Sequence, residues 1–185
     1  LTPRQVSYGS RQKIWWLCPK GHEWQTAVYT RTKGSGCPYC AGKQAWPGEN
    51  DLASQRPDLL AQWHPTKNLP MTPERVTVGS HFKAWWVCEQ GHEWRAIVKS
   101  RTLGGTGCPV CADRVLLQGV NDFAATHPEL SKQWHPTKNG TLTPRDVVAG
   151  NRRKVWWQCD KGHVWQAAVS SRACGGTGCP VCVGK

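Results

Sequence analysis

Several ingredients of an ordinary globular core are scarce in this chain. Phe and Tyr number only two and three, and Leu, Ile and Val are thinly spread. With a mean hydropathy of −0.57, no single large aliphatic core is expected. No stretch approaches 18 consecutive apolar residues, the length that would suit a membrane-spanning helix. Charged residues are only 19% of the total, and 19 glycines and 13 prolines interrupt the chain, which excludes a coiled coil or a long helical bundle. The 12 acidic residues form no close cluster suited to a two-metal catalytic site. No charged-then-apolar leader opens the sequence, and Leu1 is not a start methionine, so we read the chain as a processed product or a fragment. What the 185 residues hold in abundance is 12 tryptophans, 10 cysteines and a formal net charge of +12.

Self-comparison explains the abundance. Leu1–Cys40, Met71–Cys111 and Leu142–Cys182 read almost alike, with Cys18, Cys88 and Cys159 at 70- and 71-residue intervals. Between them lie two matching connectors, NDLASQRPDLLAQWHPTKN from Asn50 and NDFAATHPELSKQWHPTKN from Asn121. We expect modules at residues 1–49, 71–120 and 142–185, with connectors at 50–70 and 121–141. The chain starts where a WHPTKN connector would have ended and stops three residues after the last CPVC. That phase is expected of a segment from a longer array, or from a protein with other domains.

Each module repeats four potential ligands: Cys18, His22, Cys37 and Cys40; Cys88, His92, Cys108 and Cys111; Cys159, His163, Cys179 and Cys182. The spacing is C-x3-H, then 14 or 15 residues, then C-x2-C. A C-x2-C turn aims two thiolates at one tetrahedral ion, and the C-x3-H pair completes the shell. Gly21, Gly91 and Gly162 precede each His, where a knuckle around a metal turns tightly. Ten cysteines could suggest a disulfide framework, but three matching cysteines per module cannot pair internally. Four protein ligands close the shell, so we expect three structural Zn²⁺ ions rather than catalytic ones. Cys174, whose counterparts are Lys33 and Leu103, is expected to be a free thiol. Zinc also addresses the missing core. A 40-residue unit buries too little to fold alone, and ligation contributes on the order of 10 kcal/mol in a small finger.

The segments Lys13–Cys18 and Glu23–Tyr29 are rich in aromatic and β-branched residues and read as a hairpin closed by CPKGH. Adjacent Trp15 and Trp16 must face opposite sides of their strand. One is expected over the metal site with Trp24, and the other outward or against a connector. A helical turn is possible after Pro38. The connectors read as helical, capped by Asn50 and Asn121 and broken in two by Pro57 and Pro128, each Pro in the first turn of the second helix. Trp63 and Trp134 are expected to dock on a neighbouring module. The fold class is thus small, zinc-stabilised α+β: three tandem zinc-ribbon or treble-clef modules, each a β-hairpin plus a CPxC turn, joined by short helical connectors.

Charge is segregated. Residues 1–40, 71–111 and 142–185 carry +5, +2 and +5, whereas 41–70 and 112–141 are neutral. Three thiolates and one Zn²⁺ per site would lower the total to about +9. Such a partition marks a polyanion-binding face. Recurring candidates are Lys13, Lys83 and Lys154 before each Trp pair, and Arg31, Arg101 and Arg172 at the end of each second strand. Arg11, Arg152, Arg153, Lys20, Lys161, Arg95 and Lys99 accompany them. A solvated basic strand edge that resists sheet pairing is the competing explanation. Recurring His64 and His135 sit near Asn68 and Asn139. A ββα-metal nuclease places its catalytic His on the hairpin beside the metal, and no spare His recurs there. These histidines are expected to shape the turn, and no enzymatic activity is expected.

The string WWxCxxGHxW…GxGCPxC, separated by LAxxxPxLxxxWHPTKN, resembles a prokaryotic repeat family described as a probable zinc-ribbon or treble-clef domain of unknown function. Val164 departs from it where the other modules have Glu23 and Glu93, at a position that is not a ligand. Similar modules occur beside restriction-type or mismatch-repair-type endonuclease domains, so the resemblance implies nucleic-acid association. The expected partner is nucleic acid, DNA ahead of RNA, with a nuclease domain or subunit outside this segment as a further candidate. A protein-interaction scaffold is the alternative. No membrane partner is expected. A reducing, cytoplasmic location follows from the thiols, nucleoid-associated if DNA is bound.

Overall fold

The computed structural model describes residues 2–184; Leu1 and Lys185, the outer limits of the expected first and third modules, lie outside them. The chain divides into two compact units, Leu1–Thr106 and Gly107–Lys185. The strands form three separate two-stranded antiparallel sheets. In the first, β1 (Lys13–Leu17) pairs with β2 (Glu23–Ala27), and the chain turns at once into the single-turn helix α1 (Val28–Thr32). The first connector contains α2 (Leu52–Gln55) and a 3-10 segment, Pro57–Gln62. Next come β3 (Lys83–Val87), β4 (Glu93–Ile97) and α3 (Val98–Thr102). The second connector holds α4 (Phe123–Thr126) and α5 (Pro128–Ser131), followed by β5 (Lys154–Gln158), β6 (Val164–Ala168) and α6 (Val169–Ala173). No described helix is long and apolar enough to cross a membrane.

Period-two alternation decides which tryptophan goes inside. Trp16 lies opposite Trp24, Trp86 opposite Trp94, and Trp157 opposite Trp165. Trp86 and Trp157 are fully buried, whereas Trp15, one residue away from Trp16, is 67% exposed. A buried indole N–H needs an acceptor. Trp16, Trp86 and Trp157 find one across the hairpin in the carbonyls of Thr26, Ala96 and Ala167, at 3.0–3.1 Å.

The second strands end sooner than the sequence suggests, at Ala27, Ile97 and Ala168. Arg31, Arg101 and Arg172 therefore stand on the following helical turns and not at strand ends. Their placement corrects the phosphate-contacting role expected of them. Arg101 and Arg172 are only 5% exposed. Each guanidinium carbon lies over two indoles, Trp86 and Trp94 at 5.0 and 5.3 Å, or Trp157 and Trp165 at 5.2 and 5.3 Å. Arg101 donates to the Thr106 carbonyl and the Gln62 side chain, and Arg172 to Thr177 and Gln133. Half-buried Arg31 covers Trp16 and Trp24 at 5.1 and 5.6 Å. A planar cation that stacks on indoles and donates through its terminal nitrogens to nearby oxygens is a core component. Burial pulls the Arg172 guanidinium down from its ordinary value, opposed by the neighbouring Cys179 sulfur.

Each connector grips a following hairpin within its own unit. Trp63 meets Trp86 edge-on at 5.4 Å, and Leu52 and Leu59 are buried nearby. In the second unit Phe123 and Trp134 pack on Trp157 at 5.7 and 5.3 Å, in a core with Val147, Val155 and Val169. Pro57 and Pro128 open the second helical segments as expected. The caps differ by one residue from expectation. Asp51 and Asp122 accept the backbone N–H of Ser54 and Ala125 at 2.9 Å. Asn50 and Asn121 instead tie the connector back to the CPxC loop. They donate to the carbonyls of Tyr39 (2.7 Å) and Val110 (3.0 Å). An aspartate and an asparagine are both good caps, so propensity alone could not choose between neighbours. Burial pushes the Asp51 carboxyl up, but hydrogen bonds from the Ser54 hydroxyl and the N–H groups of Ser54 and Gly48 hold it below its usual range.

Three substitutions test this packing. Arg172→Ala should destabilise the zinc-loaded protein by about 3 kcal/mol, through lost stacking and orphaned carbonyl and amide oxygens. Lys154→Ala, on an exposed strand position, should change it by less than about 0.5 kcal/mol. Thermal unfolding with excess zinc compares the two. Asp51→Ala should cost about 2 kcal/mol in the same assay, from the lost cap and the unpaired Gly48 N–H.

Candidate metal centres and the charged surface

The four ligands of each set come from two tight turns. In the first turn, Cys18 N–H donates to the His22 carbonyl (3.1 Å) and Gly21 N–H to the Cys18 carbonyl (2.9 Å). Gly21, Gly91 and Gly162 adopt φ of 84°, 77° and 81°, the left-handed region that side chains resist. In the second turn, Cys40 N–H donates to the Cys37 sulfur (3.5 Å), and the chain then makes successive turns rather than the helix considered after Pro38.

These turns bring Cys18, His22, Cys37 and Cys40 together, and likewise Cys88, His92, Cys108 and Cys111, and Cys159, His163, Cys179 and Cys182. Within each set the ligand atoms all lie within 4.8 Å of one another. A tetrahedral ion about 2.3 Å from sulfur and 2.0 Å from nitrogen holds its ligand atoms about 3.5–3.8 Å apart. Cys18 and Cys40 sulfurs are 3.8 Å apart, as are those of Cys159 and Cys182. His22 Nδ1 lies 3.3–3.5 Å from the three sulfurs of its set, and His163 Nδ1 3.3–3.7 Å from its own. Cys88 sulfur and His92 Nδ1 are 3.5 Å apart. A disulfide needs about 2.0 Å, and none of the ten cysteines, all among the described residues, forms one. Three soft thiolates and an imidazole on a tetrahedron fit Zn²⁺, which closes its shell with these four and needs no fifth partner. Three zinc ions are the cofactors of this protein, and their role is structural. Cys174 is exposed and belongs to no set.

The thiols differ sharply. Burial pushes Cys18 up, but the backbone N–H groups of His22 and Lys20 more than reverse this, bringing it down to about 7. Desolvation, then hydrogen bonding to Cys37 and Cys18 and repulsion from them, pushes Cys40 up to about 11. Cys159 and Cys182 repeat the pair at about 7 and 11. Thiolates this close do not all ionise without a cation to offset them.

The first site has a shell that sequence pattern alone did not reveal. His22 is buried, its Nε2 3.3 Å from Glu49. Trp46 and Tyr39 stand against its ring at 4.8 and 5.4 Å. A carboxylate on the second nitrogen fixes the tautomer that leaves Nδ1 free to ligate. Trp46, unmatched in the repeats, thereby finds its role; the second module has Val110, Leu117 and Val120 where the first has Tyr39, Trp46 and Glu49. His64 and His135 shape the turns as expected. Their Nδ1 atoms accept two successive N–H groups, those of Thr66 and Lys67 or Thr137 and Lys138, at 3.2–3.3 Å.

Ten of the thirteen cationic candidates are exposed: Lys13, Lys83, Lys154, Arg11, Arg152, Arg153, Lys20, Lys161, Arg95 and Lys99. They do not form one patch per module. Lys20 and Lys161 lie in the knuckle turn, at the opposite end of the hairpin from Lys13 and Lys154. At the open end, Arg11 accompanies Lys13, and Arg152 and Arg153 accompany Lys154. In the middle module Arg95 reaches the Lys83 carbonyl (3.5 Å), and Lys99 N–H bonds to Ser80 beside it. Two lysines were missed as members of this surface. Lys67 and Lys138, delivered by the connectors, sit 4.9 and 4.7 Å over Trp85 and Trp156. The recurring WHPTKN was the available signal.

A family model described as a probable treble clef zinc finger domain matches residues 1–43, 59–114 and 130–185, one ligand set in each match. No curated protein matches the chain.

Removing zinc with a strong chelator should unfold each module, seen as loss of hairpin circular dichroism and a blue-to-red shift of tryptophan emission. Native mass should read three zinc ions in the wild type and in Cys174→Ser, but two in Cys37→Ser. Acid should release the metal as protons compete for the thiolates and imidazoles. Glu49→Gln should weaken one of the three sites by about tenfold in a chelator competition.

Proposed function

The chain belongs to the probable treble clef zinc finger family, and from that premise we propose that it is a non-enzymatic array of zinc modules that binds nucleic acid, double-stranded DNA ahead of RNA. The observation that carries this reading is the segregation of charge. The connectors are neutral while the modules hold the whole basic excess. Ten of the thirteen cations proposed to contact phosphate are exposed, and the three arginines that are not have a packing role instead. On the exposed face of each hairpin the first-strand lysine alternates with a tryptophan: Lys13 with Trp15, Lys83 with Trp85, Lys154 with Trp156. Lysine and arginine neutralise phosphates, and an adjacent indole offers a flat surface to sugar or base. Tandem modules would add contacts along one backbone and gain from being linked. Thiols reserved for metal suit a reducing compartment.

His64 and His135 are committed through Nδ1 to their own turns, which supports a structural part for them. A nuclease acting beside this array would bring its own catalytic residues.

Affinity for double-stranded DNA should fall steeply with salt, in a linear plot of log K against log salt concentration. The triple variant Lys13→Glu/Lys83→Glu/Lys154→Glu should bind at least tenfold more weakly, with a slope shallower by about 3, while retaining three zinc ions. A salt-independent affinity, or none at low salt for double-stranded DNA, single-stranded DNA or RNA, would sink the proposal. Tighter binding to single strands would move the main contacts from the lysines to Trp15, Trp85 and Trp156. Retained function in the triple variant would favour a protein-interaction scaffold.

A further inference from the structure

The first module has an apolar groove of about 500 Å³, lined among others by Val6, Ile14, Trp16 and Val28. The repeats reveal what this surface is built to hold. The equivalents of Val6, Ile14 and Trp16 are Val76, Ala84 and Trp86, or Val147, Val155 and Trp157, all at most 4% exposed. The three residues of the first module are only half-buried. In the second and third modules the cover is the preceding connector, through Trp63 on Trp86 and Trp134 on Trp157.

Polar groups tell the same story. The connector caps the free edge of the first strand. His64 N–H donates to the Trp85 carbonyl (3.2 Å), and Asn68 both accepts from Trp85 N–H (2.8 Å) and donates to its carbonyl (2.9 Å). His135 and Asn139 do the same to Trp156 at 3.0, 2.8 and 2.9 Å. Trp15 lies opposite Gln25 in the same register, so its N–H and carbonyl face the same free edge, without a capping partner among the described residues. Gln62 and Gln133, both from connectors, complete the arginine sandwich through Arg101 and Arg172. Arg31 has the Ser35 carbonyl and no glutamine among the described residues.

We propose that this groove is the docking site of a connector-type segment entering from the N-terminal side of the first module, as residues 50–68 and 121–139 enter the second and third. Its recognition chemistry is a tryptophan seated against Trp16, an Asn amide paired with Trp15 N–H and carbonyl, and a Gln carbonyl accepting from Arg31. The N-terminal source is favoured by register. In both observed cases only two residues separate the connector's Asn68 or Asn139 from the module's Met71 or Leu142. A covalently preceding segment therefore arrives with its side chains in place and at millimolar effective concentration. The proposal is independent of nucleic-acid binding and needs none for its test.

The test compares the zinc-loaded 185-residue chain with a version carrying the sequence of residues 50–70 fused ahead of Leu1, by residue-resolved amide hydrogen exchange. The Trp15 amide should exchange at least tenfold more slowly in the fusion, approaching Trp85. Replacing the tryptophan of the added segment by Ala should restore fast exchange, with three zinc ions retained in every protein. Unchanged Trp15 exchange in the fusion would overturn the proposal. Sedimentation of the unfused chain supplies the second arm: a concentration-dependent dimer that protects Trp15 and is unaffected by the fusion would assign the groove to a second copy and overturn the N-terminal source.

Discussion

Bringing three cysteine sulfurs and one imidazole to within a few ångströms of one another is the constraint from which this architecture follows. Unaided, such a cluster resists ionisation, with thiols in one set pulled as far apart as about 7 and about 11. A divalent ion turns that repulsion into the chief attraction of a module too small to fold on apolar burial. Everything local serves the two turns that present the ligands. Glycine with positive φ closes the first, backbone N–H groups reach the sulfurs, and the hairpin sets the spacing of the strand ends that flank Cys18 and His22.

Metal alone does not complete a module. Above each zinc-bearing hairpin sits a second layer of tryptophan pairs, and over them an arginine whose guanidinium takes the place of an aliphatic side chain. The stacking is possible because guanidinium is planar and weakly hydrated, and tolerable because carbonyl and amide oxygens accept from its terminal nitrogens. One of those oxygens comes from the connector in the second and third modules. The connectors are thus parts of the cores and not spacers. Adjacent residues divide the work: Asn50 and Asn121 hold the CPxC loop behind, while Asp51 and Asp122 cap the helix that lies on the hairpin ahead.

This packing sorts the cations into two populations that are indistinguishable in a count. Arg101 and Arg172 recur as regularly as Lys83 and Lys154, yet recurrence reflects a shared core in the first pair and a shared surface in the second. The exposed set keeps company with tryptophans on the outer face, each half-covered in the second and third modules by a connector lysine. That combination is what the proposal of a polyanion partner rests on.

The ligand sets, the hairpins, the split of each tryptophan pair between two faces, the proline-broken connectors and the docking of Trp63 and Trp134 were all legible in the sequence. Each rests on spacing or periodicity, and local geometry translates those directly: C-x2-C into a turn, alternation into two faces, Pro into a first helical turn. Four features belonged to the tertiary structure. Whether Asn50 or Asp51 caps depends on which module each residue faces, since their intrinsic preferences are equal. Whether Arg31, Arg101 and Arg172 point to solvent or to indoles depends on the strand ending at Ala27, Ile97 and Ala168. The Glu49–His22–Trp46 shell and the uncovered groove on the first module join residues far apart along the chain. Sequence determined what each repeat can form by itself, because short-range geometry needs only neighbours. Three-dimensional packing decided which polar groups are spent inside and which remain to meet a partner, because burial is a property of what lies across the interface.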